Sequence, residues 1–496
     1  AQPGPVGAVA APPAPPPPAP AVAQDAPEPT GTEHYKDYGV NPWVDTKADR
    51  LSTFSIDVDT ASYAIARRKI REGTLPPFAS VRAEEFVNSF DYGYAPPDGG
   101  DRRPFRVHFA AAPSPFTRGH HLLRIGVQAK QVSPAERVPV HLVYRVDVSG
   151  SMGPSDRLPL AKRSLKMLTD TLKPGDTVAI CTYAGNVREV LPPTGVDARG
   201  RILSAIDSLR AGGGTSMGSG VELAYRLASR TLVKGHVNRV VVLSDGDANI
   251  GNTSHEQVLK TIARFKDRGI TLSTVGFGSG NYKDTMMERL ADEGDGNYTY
   301  IDSEAQAKKV FTEQVDGLLQ VVARDVKIQV ELDPNVVRRY RLIGYENRDI
   351  ADKDFRNDKV DAGEVGAGHS VTAIYDVELV RTDASPATVR VRHKPAKNAL
   401  HGGSDRATES AFPMPASAIA PTFAAAPESF RFAVGVAGFA EILRRSPSAA
   451  DWSFADVDRV AFEAAAGRPE RLELVTLIRK AAALSAPAAP PVPVAR

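Results

Sequence analysis

Between Val138 and Gln320, short apolar runs alternate with longer stretches whose apolar residues recur every three or four positions. The runs "VPVHLVYRVDV" (138–148), "DTVAICTYA" (176–184), "NRVVVLSDG" (238–246) and "ITLSTVGFG" (270–278) read as strands. The Val- and Leu-rich "NRVVVLSDG" is too continuously apolar to lie half-exposed, as buried parallel strands are. In "RLPLAKRSLKMLTDTLK" (157–173), Leu158, Ala161, Leu165, Leu168 and Leu172 share one helical face. "ARGRILSAIDSLR", "GVELAYRLASRTL", "HEQVLKTIARFKDRG", "DTMMERLADEG" and "EAQAKKVFTEQVDGLL" continue the helical pattern, and "GNYTYID" adds a strand. "NVREVLPPT" predicts a short antiparallel edge strand that its prolines end. Strand–helix alternation of this kind implies an α/β domain with a doubly wound, mostly parallel six-stranded sheet and right-handed crossovers.

The flanks have another rhythm. "FRVHFAAAPSPF" and "HLLRIGVQAKQV" before this domain, and "RDVKIQVELD", "YRLIGYE", "HSVTAIYDVELV" and "TVRVRHK" after it, alternate as β-strands do. Strands on both sides imply one β-sandwich interrupted by the α/β insert, with both ends of the insert tethered to one body. The expected divisions are a spacer over 1–35, a largely helical flank over 36–100, and a discontinuous sandwich from 101–137 and 322–395. The insert then covers 138–321, a linker 396–426, a region of three amphipathic helices 427–485, and a tail 486–496. The last helix of the insert either transmits loop movements to the sandwich or forms part of a static scaffold.

Composition narrows the class. An apolar content of 42% with 24% charged residues is ordinary for a globular protein, and a net charge of +2 argues against a nucleic-acid partner. Cys181 is the single cysteine, so no intramolecular disulfide and no thiolate metal cluster can form. Its strand-like setting suggests a buried, inert thiol. Of the first thirty residues, twenty are Ala or Pro, which predicts an extended spacer. The start at Ala1 without Met fits a mature form freed of an export signal, or a shortened one. The expected location is extracytoplasmic, in the periplasm or cell envelope, with any membrane association made through a removed signal or a lipid anchor. A disordered tail inside the cytoplasm is the alternative.

Candidate chemistry gathers where such sheets bind ligands, beyond the carboxyl ends of the strands. "DVSGS" (147–151) succeeds the first strand, "AGGGTSMGSG" (211–220) precedes a helix, and "SDGDANIG" (244–251) succeeds the Val-rich strand. Together they would bring Asp147, Ser149, Ser151, Thr215 and Asp245 to one spot. Two carboxylates and three hydroxyls are hard oxygen donors suited to Mg²⁺, Mn²⁺ or Ca²⁺. They leave the ion short of charge and able to take an anionic ligand.

The Asp-x-Ser-x-Ser loop, the distant Thr215 and the distant Asp245 resemble the metal-ion-dependent adhesion site of von Willebrand factor A (VWA) domains. The flanking "NPWVDTKADRLSTFSIDVDTASYAIARR" (41–68), "YRLIGYENR" (340–348) and "DAGEVGAGHSVTAIYDV" (361–377) are similar to the bacterial YfbK-like family. The sandwich with its insert resembles the arrangement in integrin β subunits. The resemblance implies a metal-dependent, non-enzymatic protein-binding module whose ion is completed by a Glu or Asp of a protein partner. It implies ligation by Ser149, Ser151 and Thr215, with Asp147 and Asp245 acting through waters and Asp247 peripheral. A hydrolase using the same ion is the alternative, with His255 the nearest general base in sequence; a scaffold with a vestigial site is the third.

Other motifs have plainer readings. "FSIDVDTASY" (54–63) echoes the metal loop but lacks the second serine, so a strand and a helix capped by Thr60 or Ser62 are expected. The glycine-rich 211–220 segment lacks the Gly-Lys-Ser/Thr ending of a phosphate loop. His120 and His121 have no partner at metal-binding spacing and are expected at the surface. Arg145, in the expected central strand, must reach the sheet's end or pair with a buried acid.

Overall fold

The computed structural model describes residues 35–99, 101, 103–133, 136–184, 186–213, 217–246, 255–278, 284–396 and 405–485. Within them, six strands form a sheet in the order Tyr298–Ile301, Ile270–Phe277, Val237–Ser244, Val140–Asp147, Thr177–Tyr183, Val187–Gly195. The first five pair in parallel; Val187–Gly195 runs antiparallel at the edge, where Pro192 and Pro193 do not interrupt a ladder on both sides. Every residue of Val140–Asp147 is buried, its polar His141, Arg145 and Asp147 included, as befits a strand in the middle of a parallel sheet. The chain leaves that strand toward Thr177–Tyr183 and later returns on its other side at Val237–Ser244. The order of the sheet reverses between Val140–Asp147 and Val237–Ser244, and the crevice of a doubly wound sheet opens at such a point.

The strands on either side of this insert pair with each other. Ser370–Leu379 lies antiparallel to His121–Ala129, which pairs with Phe105–Pro113; Val337–Ile343 and Val44–Asp45 complete that sheet. Facing it, Val321–Leu332 pairs with Ala387–Pro395, Leu51–Ser55 and Val365–Gly366. Ile125, Val127, Val371 and Tyr375 of one sheet and Val326, Ile328, Val330, Val389 and Val391 of the other form the shared core. The flank before residue 100 therefore supplies two strands as well as the helices Ala61–Arg71 and Ala83–Asn88. The expected linker over 396–426 also holds a strand, Thr408–Pro413, on the edge of Ala387–Pro395. Its six residues end in Pro413 and carry no clear alternation, so only the pairing reveals it.

Helices Glu428–Leu443, Phe454–Glu463 and Pro469–Ser485 share a core with Ile70, Phe86 and Phe90 of the flank and Ala112 and Leu122 of the sandwich. The insert is held where its ends meet. Gln320 Nε2 donates to Val138 O at 3.1 Å, and Val138 N donates to Gln320 Oε1 at 3.3 Å. The last helical turn, Val315–Leu319, lies so close to the sandwich that a Cβ on Gly366 would overlap the Gly317 carbonyl.

Two expectations need correction. His120 is half-buried: its Nδ1 lies 3.0 Å from Asp376 Oδ1 and its Nε2 3.4 Å from Glu378, and the hydrogen bond to Asp376 raises its pKa despite partial burial. Thr60 stands at the N-cap position of the helix after "FSIDVDT", as expected, but its side chain makes no capping hydrogen bond. Glu85 Oε2 instead accepts the Ser62 N–H at 2.8 Å. Asp57 and Asp59, which gave that segment its metal-loop look, both pair with Arg348.

Candidate metal centre

The first loop starts at the buried end of the central strand. Asp147 is fully buried, and its Oδ1 accepts the Ser149 N–H at 2.9 Å while its Oδ2 accepts the Ser244 hydroxyl at 3.0 Å. The carboxylate thus fixes its own loop to the neighbouring strand end. Burial pushes the Asp147 pKa up, opposed by the bonds to Ser149 and Ser244 and reinforced by Asp245. Ser149 is buried and its Oγ lies 2.9 Å from Ser151 Oγ, so the two hydroxyls form one polar face. Backbone bonds from Gly150 N to Gly213 O (3.0 Å) and from Gly212 N to Val148 O (2.8 Å) pin the second loop against the first. Thr215 and Asp247 lie outside the described residues, as does the side chain of His255.

The third loop brings Asp245, which is 4% exposed. Its Oδ2 accepts from Arg157 Nη1 at 2.7 Å, and the same Nη1 donates to Ser151 O at 2.6 Å. Arg157 precedes the helix Leu158–Thr171, where the helix dipole disfavours a cation. That misplacement is the one sequence signal of a functional arginine, and the loop motifs alone miss both Arg157 and Ser244. Asp147, Ser149, Ser151 and Asp245 come together; the donors are all oxygen, and the charge is low. Among the described residues no group of three His, Cys, Asp or Glu could hold a metal, so hydroxyls must complete any shell here. The set fits a hard divalent ion.

Arg145 is fully buried and sits over a ring: its guanidinium carbon is 3.9 Å from the Tyr183 centroid. A Cβ on Gly220 would sit 3.0 Å from Arg145 Nε, so that glycine admits the stacked pair beneath its helix. The contact steadies the strand next to Asp147, which pairs with Tyr183. Cys181 is buried and its thiol is pushed up to about 12 by that burial, as an inert thiol should be.

A groove of about 630 Å³ opens beside this centre, reaching from Gly153 to Arg210 and Ala211. Lys162, Arg163, Lys166 and Arg210 line it with Asp207. Lys162 Nζ donates to the carbonyls of Asp207 (2.9 Å) and Leu209 (3.3 Å), which caps a helix end.

Sheet order and loop chemistry together define a protein built around a von Willebrand factor type A domain; the family model of that domain matches residues 141–313. A further family model, "von Willebrand factor", matches 29–124, and "Uncharacterized protein YfbK, C-terminal" matches 317–484. The chain is 37% identical over 474 residues to uncharacterized protein YfbK of Escherichia coli K12, covering 91% of this chain and 81% of that one. It belongs to the YfbK family. The inter-alpha-trypsin inhibitor heavy chain H3 of Mesocricetus auratus is 23% identical over 275 residues, 50% of this chain and 30% of that one. A solved von Willebrand factor type A protein from Catenulispora acidiphila aligns over 78% of this chain and 92% of its own, at 18% identity and a TM-score of 0.44. VWA domains commonly bind a divalent metal at this loop constellation.

Proposed function

We propose that this protein is a divalent-metal-dependent protein-binding module. Asp147, Ser149, Ser151 and Asp245, with Thr215, hold Mg²⁺, or Mn²⁺ or Ca²⁺, and a Glu or Asp of a protein partner completes the ion's shell. The observation that carries this reading is the convergence of two buried carboxylates and a hydroxyl pair 2.9 Å apart at the switch point of the sheet. When bound, the ion supplies a positive site with room for an external anion. The chain's own groups hold and orient: Asp147 fixes the loop, Ser244 fixes Asp147, and Arg157 fixes Asp245. Such a set favours capture over catalysis, since an arginine engaged with a carboxylate has no proton to give near neutral pH. The basic groove beside the centre supports an acidic partner, which it would meet with Lys162, Arg163, Lys166 and Arg210.

The Ala/Pro-rich first residues support a place outside the cytoplasm, with the folded part held off a surface by a spacer. Among the described residues no helix is long and apolar enough to cross a membrane. The test is partner retention by the immobilised protein in Mg²⁺, in chelator, and with Asp147→Ala. The reading expects retention in Mg²⁺ alone. Equal retention in all three would sink it.

A further inference from the structure

Arg157 is more than a tether for Asp245. Its side chain is 15% exposed and lies across the backbone at Gly278, where a Cβ would fall 2.6 Å from Arg157 Cγ and 2.8 Å from its Cδ. One nitrogen bridges the Asp245 carboxylate and the Ser151 carbonyl, so the guanidinium reaches two of the loops that would hold an ion. The residue begins a helix, where a positive charge opposes the macrodipole and gains nothing from local structure. What the position does offer is a fixed positive charge inside the centre.

The balance of charge sets the order of affinities. Ionised Asp147 and Asp245 carry −2 between them, and Arg157 brings the described groups of the centre to −1. A divalent ion takes that sum to +1, and an external carboxylate returns it to zero. Without Arg157 the loaded centre would sum to zero, and its pull on an external carboxylate would be weaker. An ion held here and the Arg157 guanidinium would repel each other, by an amount worth at least about tenfold in affinity at a separation of about 6 Å even with the dielectric of water.

We infer that Arg157 makes metal binding at this centre weak by itself and contingent on an anionic ligand, so that ion and partner carboxylate bind cooperatively. The inference rests on the proposed metal-binding reading and adds to it a regulation: the ion is held firmly only when the acidic partner is present. By linkage, the anion tightens the ion by the same factor as the ion tightens the anion.

The test is calorimetric titration of the full chain with Mn²⁺, with acetate or with chloride at matched ionic strength, on the wild type, Arg157→Met and Arg157→Lys. Arg157→Met keeps most of the stem and removes the charge; Arg157→Lys keeps the charge. The wild type and the Lys variant should bind Mn²⁺ several-fold tighter in acetate. Arg157→Met should bind at least about tenfold tighter than the wild type in chloride, with a smaller further gain from acetate. Unchanged or weaker Mn²⁺ binding by Arg157→Met, at an unaltered unfolding midpoint, would overturn the inference and leave Arg157 as a positioning residue only. Mn²⁺ binding by none of the three proteins, acetate included, would overturn the metal reading and this inference with it, a result distinct from equal binding by all three.

Discussion

Replacing Arg348 by Met removes a side chain that joins three parts of the molecule. Its Nε lies 3.0 Å from Asp57, its Nη2 3.3 Å from Asp59 and 3.4 Å from Glu288, and its Nη1 2.9 Å from Asp292. Asp57 and Asp59 belong to the flank, Glu288 and Asp292 to a helix of the VWA domain, and Arg348 to the sandwich. Burial alone would pull the guanidinium down, yet the four carboxylates hold it well above the usual arginine range. Asp59 is pushed well up by burial and by Asp57, against the pull of Arg348. Asp57, Asp59 and Glu288 are each no more than 5% exposed, so water cannot take over from the missing cation. Arg82, 3.4 Å from Glu288, would remain beside that end of the cluster. Breaking one buried pair this way costs about 3–5 kcal/mol, and about 4 kcal/mol is expected here. A unit the size of the VWA domain loses roughly 2–4 °C per kcal/mol, so its midpoint should fall by roughly 8–16 °C. Scanning calorimetry reads this, together with protease sensitivity around Glu288 and Asp292. Arg348→Lys should fall between, because an ammonium cannot serve four carboxylates in fork geometry. A midpoint within a degree of the wild type for Arg348→Met would refute the view that this cluster locks the domains together.

Packing and buried titrating groups give two further expected outcomes. Gly220→Ala gains at most about 1 kcal/mol of helix propensity. It places a Cβ 2.9 Å from Tyr183 Cβ, which cannot swing away, so overpacking of about 1–3 kcal/mol should win and denaturant midpoints should drop. A stabilised variant would contradict the tight Arg145–Tyr183 stack. His393, 7% exposed and edge-on to Phe105, is pushed down to about 4 by burial. The unfolded chain takes up a proton near the usual value of about 6.5 and the folded one does not, so stability is lost as pH falls from about 6.5 toward 4. At pH 5 the loss is about 2 kcal/mol, and His393→Gln should remove it from the pH profile of unfolding; an unchanged slope between pH 7 and 5 would contradict this.

The VWA domain is legible because its signals are local. Val240, Val241 and Val242 announce a buried strand, and two of the three polar loops directly follow strands, while the second joins two helices. Asp147, Ser149 and Ser151 are close in sequence, and Asp245 sits at a fixed offset from a strand. The hidden features depend on partners far away in the chain. Glu85 holds the first turn of a helix through Ser62, 23 residues earlier, so no cap spacing could reveal it. Thr408–Pro413 is a strand only because Ala387–Pro395 offers an open edge. Arg145 finds its place through Tyr183 and Gly220, which come from separate elements. Arg157 lies 88 residues from Asp245, and only its awkward position at a helix start hints at a role.

The central claim is that the loops around Asp147 and Asp245 hold a divalent ion, and the unfolding midpoint with and without that ion tests it most directly. An ion that binds the folded state alone, at a hundredfold excess over its Kd, adds about 2.7 kcal/mol. Mg²⁺, Mn²⁺ or Ca²⁺, with acetate present, should therefore raise the midpoint of the wild type and leave that of Asp147→Asn where chelator leaves it. A wild-type midpoint unmoved by all three ions across the millimolar range, or an equal rise in Asp147→Asn, would contradict the account.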